Sequence, residues 1–369
     1  MTDEELLFRM ALTAVWQMGD VQIAILLRYF ETAERVFRAR RRELECIPGI
    51  GAVKANAIKA FKQFSGIARE IEHCRTTGTQ ILVRGHEGYP ARLEHCLDAP
   101  SILFYTGSHP PELPKVISIV GTRSPTAYGK ERVVELVEIL AGFKVLVVSG
   151  LAYGIDTIVH RESLKKGLAT IGVLGHGLDK LYPFANRQLA EEMKQNGGLL
   201  TEFMRGTKPD RQNFPRRNRI VAGMSDAIVV VESGIKGGSL ITAELGNDYN
   251  RDVLAYPGRS IDEQSMGCNN LIAASKANLV TCGEDIVGFL NWSVRQHKQE
   301  PLQMKLFDQL SEEEQQAVNI IVNHQPVAID RVVQLMSGNA GKIASLLLAL
   351  EMKGVVNMLP GKLYAISRP

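Results

Sequence analysis

The spacing of hydrophobic and polar residues changes along the chain, and the changes divide it into parts. From residue 1 to about residue 75, apolar side chains recur every three or four positions, as in Leu6, Leu7, Met10 and Ala11. This spacing is typical of amphipathic helices. No alternating strand pattern occurs there, so the pattern predicts a helical N-terminal domain over residues 1–75.

A different pattern, found between about residue 115 and residue 287, alternates short apolar β-branched runs with segments of helical period. Runs that are apolar on both faces, joined by helices, indicate a buried parallel sheet. The predicted strands are 116–120, 145–148, 170–174, 199–203, 227–232 and 253–256. The pattern predicts an α/β core over residues 81–290, with residues 81–114 as a mixed lead-in without defined elements.

The last part of the chain returns to helical periods. Residues 291–310 are polar and predict a linker, and Ser311 and Glu314 match a capping box. The predicted elements are helices over 312–323, 330–336 and 340–353 and strands over 355–358 and 363–366. Three helices followed by a hairpin at Leu359-Pro-Gly-Lys362 predict a winged-helix-like domain over residues 311–369.

Composition narrows the class of protein. The 369 residues are 45 % hydrophobic and 22 % charged, which excludes a disordered, collagenous or fibrous chain. The five cysteines include no C-x-x-C pair, so neither a disulfide framework nor a zinc knuckle is predicted. The start is acidic where a signal peptide is basic, and no apolar run approaches the roughly 18 residues of a membrane span. These features predict a cytoplasmic protein without a membrane partner.

Positive charge is concentrated in one segment. The whole chain has a net charge of +3, whereas residues 205–219, RGTKPDRQNFPRRNR, hold six basic residues and one acidic residue. Arginine binds phosphate with a two-pronged fork, and the Phe214 ring offers a stacking face to an unpaired base. The segment predicts contact with single-stranded nucleic acid. The alternative is a solvated segment whose arginines pair with nearby carboxylates.

Four glycine-rich loops follow predicted strands. They are Gly121-Thr-Arg-Ser124, Ser149-Gly-Leu-Ala-Tyr-Gly-Ile-Asp156, Gly175-His-Gly-Leu-Asp-Lys180 and Gly237-Gly-Ser239. Carboxyl ends of parallel strands share one edge, and glycine lets backbone amides approach an anion, so these loops predict a phosphate-binding rim. The alternative is that the glycines only form tight turns. Ser124 and Glu131 break the P-loop pattern and Lys180 breaks the dinucleotide pattern, so no nucleotide cofactor is predicted.

Catalytic patterns are scarce. Neither G-x-S-x-G nor H-E-x-x-H occurs, no metal site is predicted, and His160 is interpreted as structural. Glu244 is the strongest enzymatic candidate, because a carboxylate near a phosphate site can assist attack at a sugar carbon. A nucleotide-processing enzyme of the phosphoribohydrolase type is therefore the alternative function.

The helical N-terminal part contains a helix-hairpin-helix pattern. Gly49 and Gly51 flank one apolar residue, and Lys54 follows in the next predicted helix. The amides of such a turn can contact a DNA backbone phosphate. These three residues are a predicted accessory DNA contact, and the alternative is a turn that only packs against protein.

Ordered sequence blocks across residues 81–287 resemble the DNA processing protein A family, also called DprA or Smf. The blocks are Ile119-Val-Gly-Thr-Arg-Ser124, Ser149–Asp156 with His160, Leu174-Gly-His-Gly-Leu-Asp-Lys-Leu-Tyr-Pro183 with Asn186, Asn213-Phe-Pro-Arg-Arg-Asn-Arg-Ile-Val-Ala-Gly223, Gly238-Ser-Leu-Ile-Thr-Ala243, Tyr256-Pro-Gly258 and Gly267-Cys-Asn-Asn-Leu-Ile272. The resemblance implies an extended Rossmann-like, doubly wound, mainly parallel sheet. It also implies a helix-hairpin-helix or SAM-like domain before the sheet and a winged-helix-like domain after it.

The resemblance further implies a non-enzymatic role in natural transformation. The protein is expected to bind and protect incoming single-stranded DNA, to displace single-strand-binding protein and to help load the RecA recombinase. The resemblance also implies a homodimer that associates near the end of the core, and it implies no cofactor. A third hypothesis is a duplex-DNA regulator acting through the winged-helix-like domain. The net charge of −1 over residues 300–369 disfavours that hypothesis.

Carried over by motif, Gly121, Thr122 and Arg123 are expected to hold a phosphate and Phe214 to contact a base. The complete predicted site is Gly121, Thr122, Arg123, Gly150, Lys180, Arg211, Phe214, Arg217, Asn218, Arg219, Gly238 and Ser239. One departure from the family pattern is Asn250, which stands where a glycine is common.

Overall fold

The computed structural model describes residues 1–292, 310–336, 338–359 and 363–366. Two compact units are present, Met1–Val294 and Arg295–Pro369. The predicted linker over 291–310 lies almost entirely outside the described residues, and the predicted domain boundary near residue 75 stays a prediction. The helices of residues 1–77 and the sheet that follows belong to the same compact unit.

Six helices begin the first unit. They are α1 (Asp3–Ala14), α2 (Asp20–Phe30), α3 (Ala33–Arg38), α4 (Arg41–Glu45), α5 (Gly51–Ala60) and α6 (Phe64–Thr77). The hydroxyl of Thr2 accepts from the first turn of α1, and Thr32 does the same for α3, so each helix begins at a side-chain cap. Leu12, Leu26 and Leu44 are fully buried in the core that α1 to α5 share.

A nine-stranded sheet forms the rest of the first unit. Its strands are β1 (Gln80–Val83), β2 (Ile102–Gly107), β3 (Lys115–Val120), β4 (Val145–Ser149), β5 (Thr170–Val173), β6 (Gly197–Thr201), β7 (Ala227–Val230), β8 (Asp252–Ala255) and β9 (Asn278–Leu279). The spatial order is β1-β2-β6-β5-β4-β3-β7-β8-β9. β1 and β2 are antiparallel to their neighbours and the remaining pairs are parallel. The prediction of a mainly parallel, doubly wound sheet is confirmed.

β1, β2 and the two-residue strand β9 are strands of this sheet that the sequence pattern does not predict. β1 and β2 are short and lie in the lead-in on either side of the helical turn α7 (Ala91–Glu94). Brief apolar runs without a clear period cannot be assigned from spacing alone. The two strands extend the sheet beyond β6, and Ile102 and Phe104 pack there against Met10 and Ile71 of the N-terminal helices. The helical segment is therefore attached to the sheet through a shared apolar cluster.

Helices cover both faces of the sheet. They are α8 (Ala127–Leu140), α9 (Ile155–Lys165), α10 (Arg187–Gln195), α11 (Asn213–Gly223), α12 (Gly238–Asp248), α13 (Met266–Ala273) and α14 (Gly283–Phe289). Successive residues of a strand point to opposite faces. Accordingly, Val116 and Val120 of β3 pack with α11 and α12, whereas Ile117 and Ile119 pack with α8 and α14. After α12, Asn250 adopts a φ of 55°, a left-handed conformation that asparagine tolerates better than most residues.

The second unit has the predicted winged-helix elements together with one short strand, Val327–Ala328, that the sequence pattern did not predict. The elements are α15 (Glu312–His324), β10 (Val327–Ala328), α16 (Ile329–Met336), α17 (Ala340–Met352), β11 (Val356–Leu359) and β12 (Leu363–Ile366). The capping box is present, with the Glu314 amide donating to the Ser311 hydroxyl at 3.3 Å and the Ser311 amide donating to the Glu314 carboxylate at 2.9 Å. β11 and β12 pair antiparallel, and residues 360–362 of the predicted hairpin lie outside the described residues.

Across the described ranges, no single helix is long and apolar enough to cross a membrane. Ile329–Met336 and Ala340–Met352 pass that test only as a pair, and they meet at 114°. Ile343, Leu347 and Leu350 of this pair are buried in the core of the winged-helix unit.

We expect Gly197→Ala to destabilise the sheet. Gly197 has a φ of 135°, and an added Cβ would collide with the Thr170 carbonyl of β5. Relief of this collision requires the β5–β6 pairing to shift, at a cost of about 1–3 kcal/mol in the free energy of unfolding. Gly66→Ala in α6 is the matched control, because its Cβ meets open space and alanine favours a helix. Urea unfolding curves compare the two variants. Equal midpoints would contradict this account of β6.

Candidate nucleic-acid interface

A groove of about 660 Å³ lies beyond the carboxyl ends of β3 and β7. From β3 the chain builds β4, β5 and β6 on one side and β7 and β8 on the other, so the strand order reverses at this point. Ligands of open α/β sheets bind in the crevice at such a switch point. Ten of the twelve predicted core-site residues line the groove: Gly121, Thr122, Arg123, Gly150, Arg211, Phe214, Arg217, Asn218, Gly238 and Ser239.

The loop after β3 is held by a buried carboxylate that sequence reasoning did not assign to this role. Glu232 accepts from the Thr126 amide at 2.9 Å and from the Thr126 hydroxyl at 2.5 Å. Its own carbonyl accepts from the Thr122 amide at 2.8 Å. Gly121 is required because a Cβ there would lie 2.6 Å from the Ile155 side chain. These contacts position the loop that carries Arg123 at the mouth of the groove.

Phe214 is the predicted aromatic side chain of the groove lining. Its ring is partly exposed and belongs to none of the apolar clusters found among the described residues. The Arg123 guanidinium carbon lies 5.7 Å from the centroid of the ring, and the Tyr182 ring centroid lies 6.1 Å away. A Cβ on Gly175 would lie 3.1 Å from Phe214 Cδ1, so the ring rests on glycine backbone. Tyr182 is a groove residue that the predicted site does not include.

Arg217 supplies positive charge to the floor of the groove. It is buried, and its Nη1 donates to the Val173 carbonyl at 2.7 Å, while its Nε has no partner within the described part of the chain. Burial raises the pKa of the neighbouring Asp156 carboxyl, and the Arg217 guanidinium opposes that rise. A Cβ on Gly150 would collide with the Arg217 guanidinium, so glycine is needed where the arginine crosses under the loop.

Two predicted core-site residues lie elsewhere. Arg219 faces away from the groove, where its Nη2 lies 2.6 Å from Glu202 Oε2 and 3.0 Å from Asp20 Oδ2. Residues two apart on a helix point about 200° apart. The helical period alone therefore predicts that Arg217 and Arg219 lie on different faces of α11. Lys180 is half-exposed beside Asp179, 3.6 Å away, and does not line the groove.

The charge of the basic segment is partly neutralised by carboxylates. Arg216 pairs with Glu202 at 2.9 Å, and Arg205 pairs with Glu70 at 3.4 Å. Together with Arg219, three of the six basic residues of this segment therefore pair with carboxylates, as the alternative interpretation of the segment expected. Arg211 and Arg217 line the groove. The charge of +5 for the segment therefore overstates the charge that faces a ligand.

The carboxylate that the enzymatic alternative requires, that of Glu244, lies outside the groove. Glu244 is exposed, lies 3.5 Å from Lys276 and does not line the groove. His160 is fully buried with its Nδ1 2.7 Å from the Thr170 hydroxyl, and burial lowers its pKa to about 3. The interpretation of His160 as structural agrees with this placement.

Other predicted sites lie outside the groove. Gly49 and Gly51 have φ angles of 80° and 57°, and Lys54 Nζ donates to the Gly49 carbonyl at 2.9 Å, so α4 and α5 are joined by a tight turn. DNA contact by this turn stays a prediction. Within the described part of the chain, one set of side chains is close enough to hold a metal ion, Glu135, Cys282 and Glu284.

These features define a Rossmann-like protein whose candidate phosphate site combines backbone amides, arginine and the accessible rings of Phe214 and Tyr182. The chain belongs to the DNA processing protein A family. The family model described as DNA recombination-mediator protein A matches residues 80–291, and the model for the DprA winged helix domain matches residues 305–362. The resemblance stated from the sequence blocks is confirmed.

Individual relatives agree with this assignment. Protein Smf of Synechocystis sp. is 31 % identical over 397 residues and is matched over 99 % of both chains. The X-ray structure of DNA processing protein A from Streptococcus pneumoniae has a TM-score of 0.66 at 31 % identity, over 76 % of this chain and 97 % of that one. A Helicobacter pylori homologue, described by its single-stranded DNA binding mode, has a TM-score of 0.53 at 29 % identity, over 58 % and 96 %.

We expect Arg219→Ala to lower stability strongly, because it leaves Glu202 buried without its closest cation. Breaking a buried ion pair costs about 3–5 kcal/mol of unfolding free energy. Arg216→Ala is the matched control, since Arg216 pairs with the same carboxylate but is largely exposed, and exposed pairs contribute about 0–1 kcal/mol. Chemical unfolding measures both. Equal losses would show that the buried pair does not hold α11.

Proposed function

We propose that this protein binds single-stranded DNA in the groove and acts as a non-enzymatic recombination mediator of natural transformation. The observation that carries the proposal is the accessible Phe214 ring between Arg123 and Tyr182 at the mouth of the groove. A ring needs a free base face for stacking, and unpaired bases provide one. In a duplex, stacking on the neighbouring base pairs covers the faces of each base.

The phosphate contacts of the proposal come from the surrounding loops. The amide of Gly121 and the guanidinium groups of Arg123 and Arg211 hold the backbone, and the N-terminus of α12 at Gly238 adds its partial positive charge. The Thr122 amide, which was also expected to hold a phosphate, already donates to the Glu232 carbonyl and is left out of this set. Arg217 contributes charge from the floor of the groove. Backbone phosphates carry no base identity, so the expected binding is independent of sequence and sensitive to salt.

The remaining parts of the proposal follow from family membership. They are protection of incoming DNA, displacement of single-strand-binding protein, loading of the RecA recombinase, homodimerisation and action in the cytoplasm. Leu279 and Phe289 are exposed near the end of the core and support self-association there. The winged-helix unit is proposed to contact protein, because a net charge of −1 over residues 300–369 is a poor match for duplex DNA.

We expect Arg123→Ala and Arg211→Ala each to weaken oligo-dT binding and to reduce the slope of log affinity against log salt by about 0.7, the contribution of one single-strand phosphate contact. Phe214→Ala should cost about 1–3 kcal/mol of binding through lost stacking, with the salt slope unchanged. Fluorescence anisotropy at several salt concentrations measures all three. Arg216→Ala is the control, because Arg216 does not line the groove. Equal affinity of the wild type for duplex and oligo-dT would contradict the proposal.

The enzymatic alternative has its own test. We expect incubation with nucleoside monophosphates to release no free base, because Glu244 lies outside the groove and pairs with Lys276. Chromatography of the reaction mixture detects the base. Release that scales with protein concentration and disappears in Glu244→Gln would overturn the non-enzymatic role.

A further inference from the structure

A second pair of an aromatic ring and an arginine lies on the loop that carries Tyr182. Phe184 is 70 % exposed, and the Arg187 guanidinium carbon lies 5.9 Å from the centroid of its ring. This arrangement repeats the pairing of Arg123 with Phe214 at 5.7 Å. Neither Phe184 nor Arg187 lines the groove or belongs to the predicted site.

Tyr182 lies next to the first pair in space and next to the second pair along the chain. Its ring is 45 % exposed, lines the groove and lies 6.1 Å from the Phe214 ring. Two residues of chain span at most about 7 Å, so the backbone positions of Tyr182 and Phe184 are close together. A narrow crevice lined by Tyr153, Tyr182 and Phe214 adjoins the groove on this side. Exposed aromatic side chains are therefore present both in the groove and two residues further along the chain from Tyr182.

The loop is held firmly to the rest of the site. Asn186 is buried, and its Nδ2 donates to the Leu151 carbonyl at 3.1 Å and to the Thr157 hydroxyl at 2.9 Å. These bonds attach the segment after Tyr182 to the loop that contains Gly150. A platform that is already ordered loses little entropy when a ligand binds. Stacking on such a platform is accordingly worth more than stacking on a flexible loop.

We propose that Phe184 and Arg187 form an additional base-stacking subsite, and that a single strand bound in the groove continues over Tyr182 to reach it. The inference rests on the proposed function and deepens it. Phe184 receives the face of an unpaired base and Arg187 contacts a phosphate of the same strand. The strand then leaves the groove on the side of the β5 loop, and the full site holds more nucleotides than the groove alone.

The test measures binding of Phe184→Ala to oligo-dT of increasing length, by anisotropy on the full chain. For the wild type, affinity should rise with length until the strand reaches Phe184. Phe184→Ala should lose at least about fivefold affinity for the longer oligonucleotides and keep wild-type affinity for the shortest one that binds. Phe184→Trp should keep the affinity for long oligonucleotides, and Phe184→Leu should behave like Phe184→Ala. Arg187→Ala should reduce the salt slope by about 0.7 for long oligonucleotides only.

Tyr29→Ala is the matched control, because Tyr29 is 60 % exposed on α2 and does not line the groove. Thermal unfolding of each variant checks that the fold is intact. The subsite is wrong if Phe184→Ala and Tyr29→Ala agree at every length, or if Phe184→Ala weakens short and long oligonucleotides equally. In both cases, loss of short-strand binding in Phe214→Ala would leave the proposed function standing. A wild type that binds no oligo-dT at all would overturn both proposals.

Discussion

The groove depends on the fixed orientation of one helix, α11. On one side of this helix, Arg219 is held between Glu202 and Asp20. On the other side, Arg217 donates to the Val173 carbonyl at the end of β5. The two arginines are buried and face different directions. Rotation of the helix would therefore separate a buried charge from its partner or move it into solvent. This constraint presents Phe214 at the mouth of the groove.

The surrounding loops depend on backbone atoms as much as on side chains. Glu232 binds both the amide and the hydroxyl of Thr126, and this contact fixes the loop before α8. Gly121 and Gly150 permit close approach where a Cβ would collide with Ile155 or Arg217. The resulting surface combines amide donors, arginine and aromatic rings, which suits a charged polymer with unpaired bases. Asp156, the carboxylate found in the groove lining among the described residues, accepts from the Ala152 amide beside Arg217.

The parts of the fold that sequence could predict are those with a clear period. Parallel strands such as β3 and β7 are continuous apolar runs, and the glycine loops after them mark the edge where the groove lies. β1 and β2 could not be predicted, because an apolar run of three or four residues without alternation does not distinguish a strand from a buried helical segment. The partners of individual side chains were harder to predict than the secondary structure. The composition of residues 205–219 shows charge but not its partners. Glu202, which binds Arg216 and Arg219, lies just before the segment, whereas Glu70 and Asp20, which bind Arg205 and Arg219, come from distant helices.

Tyr182 and Glu232 show a second reason why part of the site was missed. Tyr182 becomes a site residue only because its loop folds beside α11, which brings its ring 6.1 Å from the Phe214 ring. Glu232 follows β7 and supports a loop more than a hundred residues earlier in the chain. Neither relation has a local sequence signal, although the helical period does separate Arg217 from Arg219.

The most direct measurement of the central claim is the fluorescence of 2-aminopurine placed within oligo-dT. Stacking of the base on an aromatic ring quenches this fluorophore. The account predicts strong quenching on binding to the wild type and little quenching when Phe214→Ala is saturated with the same strand. Equal quenching by both proteins, at positions throughout the strand, would contradict the claim that Phe214 stacks on an unpaired base.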